Sequence, residues 1–211
     1  MGLGIVIIVH LIGIFILSLL IAAFARIVAY SISRKKSRKT GIITLISPFI
    51  ALYTLYFAAL AGSIIVSVYK KVDIGIGDAW YVPLSGTCQL LFIDVPENGF
   101  LECNGETIIT DIAQIQVGED NIYAKTNEDH YFSFNVTNSS LIEFSNEADF
   151  IINTTIDKIT LKNATDYYFE RRNEIAGTSL TIVGIISLLV STFVVLIFIK
   201  IVLRIYRPRD I

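Results

Sequence analysis

Charge of either sign is missing from long stretches of this 211-residue chain: none occurs from Gly2 to Ala25, from Gly41 to Tyr69 or from Ala176 to Ile199. A sequence that is 54% hydrophobic and 17% charged, with its apolar residues gathered in such blocks, is not an ordinary soluble domain. Each block exceeds the roughly 20 residues that cross a hydrocarbon core about 30 Å thick. Their continuity excludes a membrane barrel. Three transmembrane helices are expected, because a helix satisfies every backbone polar group within one segment. The first block also lacks a positive leading region and runs too long for a cleaved secretory signal, so it is expected to stay as a membrane anchor. A myristoylation signal wants Ser or Thr where Val6 stands.

Metal-binding and nucleophilic side chains are scarce as well. The two cysteines, Cys88 and Cys103, and one histidine beside them in the middle of the chain do not make a zinc set. No metal or other cofactor is expected. The other histidine, His10, is the only ionisable side chain well inside a span, which makes it a candidate intramembrane polar site. A neutral His10 hydrogen-bonded to Ser63, Ser67 or Thr178 is the plain structural expectation.

What the chain does have is an uneven distribution of lysine and arginine. Arg34, Lys35, Lys36, Arg38 and Lys39 crowd the short loop 31–40, Arg26 precedes it, and Lys200, Arg204, Arg207 and Arg209 follow the third block. Against these ten, the opposite span ends carry only Lys70, Lys71, Arg171 and Arg172. Positive residues are retained on the cytoplasmic side, so the loop residues read as topogenic. The loop and the C-terminal tail are expected to be cytoplasmic in a multi-pass cell-membrane protein. The N-terminus and residues 72–174 are then expected outside. A basic loop held between two spans has little freedom to dock on nucleic acid, but it meets lipid phosphates.

Residues 72–174 hold 18 Asp plus Glu against 5 Lys plus Arg, a formal charge of −13. Such a surface disfavours nucleic acid and anionic lipid and favours basic protein surfaces or cations. Here the apolar pattern changes to short alternating runs broken by turn residues, the pattern of strands. Candidate strands are 80–84, 88–95, 100–103, 107–110, 113–117, 121–125, 130–136 and 141–145, each rich in β-branched or aromatic residues. An antiparallel sandwich or small barrel is expected. In an oxidising compartment Cys88 and Cys103 are a candidate disulfide. Yet a hairpin turning at 96–99 would pair Val95 with Phe100 and Phe92 with Cys103. Cys88 would then stand about 13 Å away, too far to bond. Either the hairpin is not simple or the two cysteines are core thiols.

The stretch Asp73-Ile-Gly-Ile-Gly-Asp-Ala-Trp80 contains Gly-x-Gly-Asp, and over those four residues it resembles the motif that intramembrane aspartyl proteases carry on one membrane helix. The resemblance implies two membrane carboxylates sharing a proton. Asp78, however, follows Lys70, Lys71 and Asp73 into water, and no span holds a second Asp or Glu. Nor does a phosphate-binding strand, loop and helix follow Gly77. The acidic turns 118–121 and 126–130 match no EF-hand loop. Four Asn-x-Ser/Thr sequons, at Asn135, Asn138, Asn153 and Asn163, matter only in a host that glycosylates.

The spans themselves offer packing surface. Ala58 and Gly62 in the second, and Gly184, Ser187 and Ser191 in the third, form stripes of small residues that let helices approach closely. Asn163 is placed to cap a helix that continues into the third span as a stem.

The organisation expected is an α plus β membrane protein with two transmembrane helices before, and one after, an extracytoplasmic antiparallel β domain. Residues 1–71 form a helical hairpin with its basic loop, 72–163 the acidic β domain, and 164–211 the stem, third span and basic tail. A non-enzymatic accessory, assembly or sensing subunit whose outer domain binds another envelope protein fits this pattern best, in contact with membrane lipid and with self-association as a further way to use the stripes. A component of an oligomeric transporter or channel would need a polar path through the spans, which are apolar except near His10. A membrane-bound hydrolase would have to work from outer carboxylates such as Asp73, Asp78 and Asp94.

Overall fold

The computed structural model describes residues 3–33, 38–95, 97–154 and 160–206. They form two compact units, one made of Met1–Ile65 with Ser179–Ile211 and the other of Val66–Thr178. Arg34, Lys35 and Lys36 lie outside the described residues.

The first unit is helical. Its elements are α1 (Leu3–Ser33), most of α2 (Arg38–Lys70) and α5 (Thr178–Ile205), and among the described residues three helices are long and apolar enough to cross a membrane. Their side chains are apolar around the whole circumference, the signature of a helix that faces lipid or protein on every side. α1 and α2 run antiparallel: Phe15 meets Phe49 with ring centroids 5.5 Å apart, and the Tyr53 hydroxyl donates to the Leu11 carbonyl at 3.1 Å. α5 lies antiparallel to α2, with Ser191 Oγ donating to the Ala51 carbonyl at 2.7 Å. Val183 occupies the space that a Cβ on Gly62 would fill. Ser187 and Ser191 are buried and Ala58 is half-buried. Gly184 departs from the expected stripe: it is exposed and a Cβ there would meet nothing, because its neighbour Val183 turns toward Gly62 instead.

The second unit is built on one antiparallel sheet of eight strands. The strands are β1 (Ala79–Pro83), β2 (Cys88–Ile93), β3 (Gly99–Cys103), β4 (Glu106–Val117), β5 (Asn121–Thr126), β6 (Tyr131–Asn135), β7 (Ser140–Phe144) and β8 (Lys162–Asn163). The first seven pair in chain order and β8 pairs with β4. Among the described residues β1 and β7 do not pair, so the sheet is an open meander rather than a closed barrel or two separate layers. Chain order explains this, since each of β2 to β7 pairs with its predecessor as an antiparallel neighbour and none crosses to a second sheet.

Two expectations change here. The predicted strands 107–110 and 113–117 are one strand, β4, interrupted by an irregularity in pairing near Asp111, whose φ is +56°. Such a bulge bends a strand without ending it, so β3 pairs the first half of β4 and β5 the second, overlapping at Ile112. The hairpin between β2 and β3 also takes a wider turn than expected. Asp94 leaves the ladder at φ +64°, and its N–H donates to the Asp78 carbonyl at 2.8 Å. Phe92 pairs with Gly99, and Cys88 stands directly opposite Cys103. The two cysteines are disulfide-bonded, with Cα atoms 4.0 Å apart.

Alternation places Cys88, Leu90 and Phe92 on the buried face of β2 and Gly99, Leu101 and Cys103 on that of β3. Gly99 has to be small: a Cβ would lie 3.1 Å from the Ile112 carbonyl oxygen and 3.2 Å from Leu90 Cδ1. β5 is covered on both faces, with Ile122, Ala124 and Thr126 buried on one and Tyr123 on the other. The cover on the Tyr123 side is α3 (Glu147–Asn153), whose Phe150 packs against Tyr123, Tyr131 and Phe144 at centroid distances of 6.0, 5.2 and 5.5 Å. Asn146 caps α3 by accepting the Asp149 N–H at 2.8 Å.

Asn163 caps α4 (Ala164–Arg172) by accepting the Thr165 N–H at 2.9 Å. A π turn at Asn173–Gly177 leads from α4 into α5.

Candidate functional site

Chemistry-bearing residues of the second unit collect at the place where its chain begins and ends. Val72 is fully buried, and Asp73 beside it is only 3% exposed. A buried carboxylate is tolerated only when it is paired and hydrogen-bonded. Asp73 meets both conditions. Its Oδ2 accepts the Gly75 N–H at 2.7 Å, and its Oδ1 accepts the Tyr168 hydroxyl at 2.5 Å. Arg172 Nε lies 3.3 Å from the same Oδ1, an ion-pair distance at which its N–H is not aligned on an acceptor. Arg172 Nη2 donates to the Asp73 carbonyl at 3.4 Å, and the Asp73 N–H donates to the Tyr81 carbonyl at 3.2 Å.

Each element presents its part for a local reason. Gly75 and Gly77 adopt φ of +79° and +109°, which turns the chain between α2 and β1, and a Cβ on Gly75 would lie 2.8 Å from Arg172 Nη2. Tyr168 and Arg172 are four apart on α4 and therefore share a face. Tyr168 stacks on Trp80 of β1 at 6.4 Å and meets Phe92 of β2 edge-on at 5.7 Å. Ser67 Oγ donates to the Val72 carbonyl at 2.6 Å. The arrangement ties residue 73 to residues 168 and 172, nearly a hundred positions later, and closes the unit at its base. It leaves the Asp73 carboxylate committed to structural partners.

The remaining predicted residues fall as follows. His10 Nδ1 is 3.4 Å from the Tyr56 hydroxyl, with the rings edge to face at 5.8 Å. Its partner is thus Tyr56 and not Ser63, Ser67 or Thr178. The observed packing places positions whose numbers sum to about 65 side by side, as Phe15 with Phe49 and Leu11 with Tyr53, a register that the sequence does not announce. Arg38 lies over the Tyr206 ring at 5.9 Å, and Lys39 is exposed. Asp129 of the second acidic turn pairs with Lys125 at 2.7 Å. In the first turn Asp120 Oδ1 accepts the Thr137 hydroxyl at 3.4 Å. Among the described residues no group of three or more His, Cys, Asp or Glu could hold a metal ion.

One feature of the unit was not singled out from the sequence. β7 is the last strand of the meander, and no described strand pairs with its outer side. Its Leu141 and Ile142 are 44% and 53% exposed, and Ile151 and Ile152 of α3 are exposed as well. Edge strands are normally blunted by charge, proline or cover. The single charge on β7, Glu143, is engaged by His130 Nδ1 at 2.8 Å. A polar cleft of about 210 Å³ opens beside β7, lined by Asn121, Asn135, Asn138, Ser140 and Ile142 among others. Asn135 is not free to serve a ligand there, since its Oδ1 accepts the Thr137 and Asn138 N–H groups and its amide donates to Asn121.

Comparison of the chain with protein-family models, with curated proteins and with solved structures finds no match.

Proposed function

We propose that this chain is a non-enzymatic membrane protein that acts as an accessory or assembly subunit, its β domain holding another envelope protein at the outer edge of β7. The observation that carries the reading is that edge: no described strand pairs with the outer side of β7, where Leu141 and Ile142 are exposed, and Ile151 and Ile152 of α3 are exposed as well. An extended segment added there gains main-chain hydrogen bonds along the strand and apolar contact on both faces. The domain's charge of −13 selects a segment that carries lysine or arginine. The lysine and arginine count supports a domain outside the cell membrane, which favours an envelope or membrane protein as the partner.

A photoreactive residue at Ile142, with one at Thr110 as control, tests this in intact cells. Cross-linking at 142 to an extended, lysine- or arginine-bearing segment of one protein is expected, with Thr110 silent. Ile142→Lys should abolish that product and Ile142→Glu should weaken it less, while both domains stay folded, because the side chain is exposed. Equal labelling from both positions, or a product indifferent to Ile142→Lys, would defeat the reading.

A further inference from the structure

We propose that the end of the helical unit where α1 finishes and α2 starts is a binding site for the phosphate of an anionic phospholipid, with Arg26 as its principal ligand. This goes beyond the reading of the β domain and does not depend on it.

The first observation is one of charge. Residues 1–65 and 179–211 hold ten lysines and arginines and a single acid, Asp210, which lies outside the described residues. No carboxylate is therefore available within the described part of this unit to neutralise Arg26, Arg38, Lys39, Lys200 or Arg204.

The second observation is one of place. Arg26 stands seven residues before the end of α1, about 10 Å along the axis at 1.5 Å per residue. The residues around it, Ala25 and Ile27 to Ala29, are apolar. A guanidinium at that depth in a bilayer is costly without a counter-charge. Its position against the neighbouring helix is specific, for Arg26 Nη1 fills the notch that Gly41 leaves in α2, where any Cβ would collide with it. The residue as a whole is nevertheless exposed, so it is accessible to a ligand from outside the bundle.

The third observation is that Arg38, less than a turn before that notch, is held over the Tyr206 ring of the α5 end at 5.9 Å. A cation–π contact uses the face of a guanidinium and leaves its in-plane N–H groups to donate. Two guanidinium groups from α1 and α2 therefore converge on one end of the bundle with donors unused by carboxylates. The planar fork of arginine matches two oxygens of a phosphate, which a lysine cannot do. A lipid phosphate at this level would supply the charge that the chain lacks, and its acyl chains would run along the apolar flank of α1. A free phosphate ion has the same head chemistry, and the experiment separates the two.

The test uses the full chain in detergent micelles with phosphatidylglycerol or phosphatidylcholine of matched acyl chains, read by native mass spectrometry. Phosphatidylglycerol is expected to stay bound where phosphatidylcholine is lost. Arg26→Gln should cut its retention about fivefold, the effect of one cation near a headgroup. Gly41→Ala should cut it similarly with no change of charge, by displacing the guanidinium, while Arg26→Lys should restore part of it. Circular dichroism checks that each variant keeps its helicity, and Arg26→Gln alone suffices if Gly41→Ala does not fold. Equal retention of the two lipids, or retention unmoved by Arg26→Gln, overturns the site. Displacement of phosphatidylglycerol by millimolar inorganic phosphate would overturn the assignment to lipid.

Discussion

The two units of this chain are held together by different chemistry. In the helical unit the specific polar contacts are single and modest: a tyrosine or serine hydroxyl reaching a backbone carbonyl, as Tyr53 to Leu11 and Ser191 to Ala51, and a histidine leaning on Tyr56. In the β unit the contacts are long-range and chemically strong, with a disulfide across β2 and β3, a buried carboxylate joining positions 73, 168 and 172, and an aromatic cluster under α3. The contrast follows from the solvent each unit is suited to. Apolar helices in lipid already satisfy their own backbones and need only close packing. A domain of about a hundred residues in water has to bury a core and fasten its ends.

That comparison can be broken from the β side first. Asp73→Ala strands the Arg172 guanidinium and the Tyr168 hydroxyl at the base of the unit, and loss of one partner of a buried pair costs about 3–5 kcal/mol. Denaturant unfolding of the full chain, followed by Trp80 fluorescence, should show that loss. A change within 1 kcal/mol would mean that the network is ornamental. Reduction of the disulfide comes next. A closed loop of this size is worth about 3 kcal/mol, so the same unfolding curve with Cys88→Ser and Cys103→Ser together should shift by that order, whereas the helical unit should not respond.

On the helical side the effects are expected to be smaller. Ser191→Ala removes one interhelical hydrogen bond, worth about 0.6 kcal/mol in membrane bundles. Steric trapping or detergent titration of the helical unit can resolve it. An effect as large as that of Asp73→Ala would erase the contrast.

The smallest effect is at the surface. Its hydrogen bond to Lys125 holds the Asp129 carboxyl below the usual carboxylate range, and the same contact raises the lysine. A depressed carboxylate contributes stability above its unfolded value and loses it as the pH falls through the folded one. The raised lysine contributes below its unfolded value and loses its share as the pH rises through the folded one. An NMR titration should therefore find the contact intact between these limits, with Asp129 titrating low. An Asp129 that titrates as in a free peptide would remove the contact from the account.

The same division decided what could be read in advance. The helices were legible because a bilayer demands length and apolarity, and those are properties of a run rather than of a contact. Strands β1 to β3 and β5 to β7 were legible from alternation and from the turns between them. The Cys88–Cys103 register was not, because it depends on β2 ending at Ile93 and β3 beginning at Gly99 rather than at Val95 and Phe100, with Asp94 already at φ +64°, and no local pattern announces that. β4 looked like two strands because Asp111 breaks the alternation, as a bulge does without ending pairing. α3 did carry a signal, Asn146 followed three residues later by Asp149, which is a helix start. Asp73 could be seen only as an acid in a glycine-rich turn. Its role depends on Tyr168 and Arg172, far along the chain, and the open edge of β7 depends on the strand order, so neither had a sequence signature.

The proposed role is most directly testable at β7. Hydrogen exchange measured on the full chain in membranes, alone and cross-linked through position 142 to its captured partner, reports the backbone amides of Ser140–Phe144. If a segment of the partner adds to the sheet, the outward-facing amides of β7 should exchange markedly more slowly in the cross-linked complex while those of β2 and β3 stay as they were. Unchanged exchange along β7, with new protection elsewhere on the domain, would contradict the proposal that this edge is where the protein meets its partner.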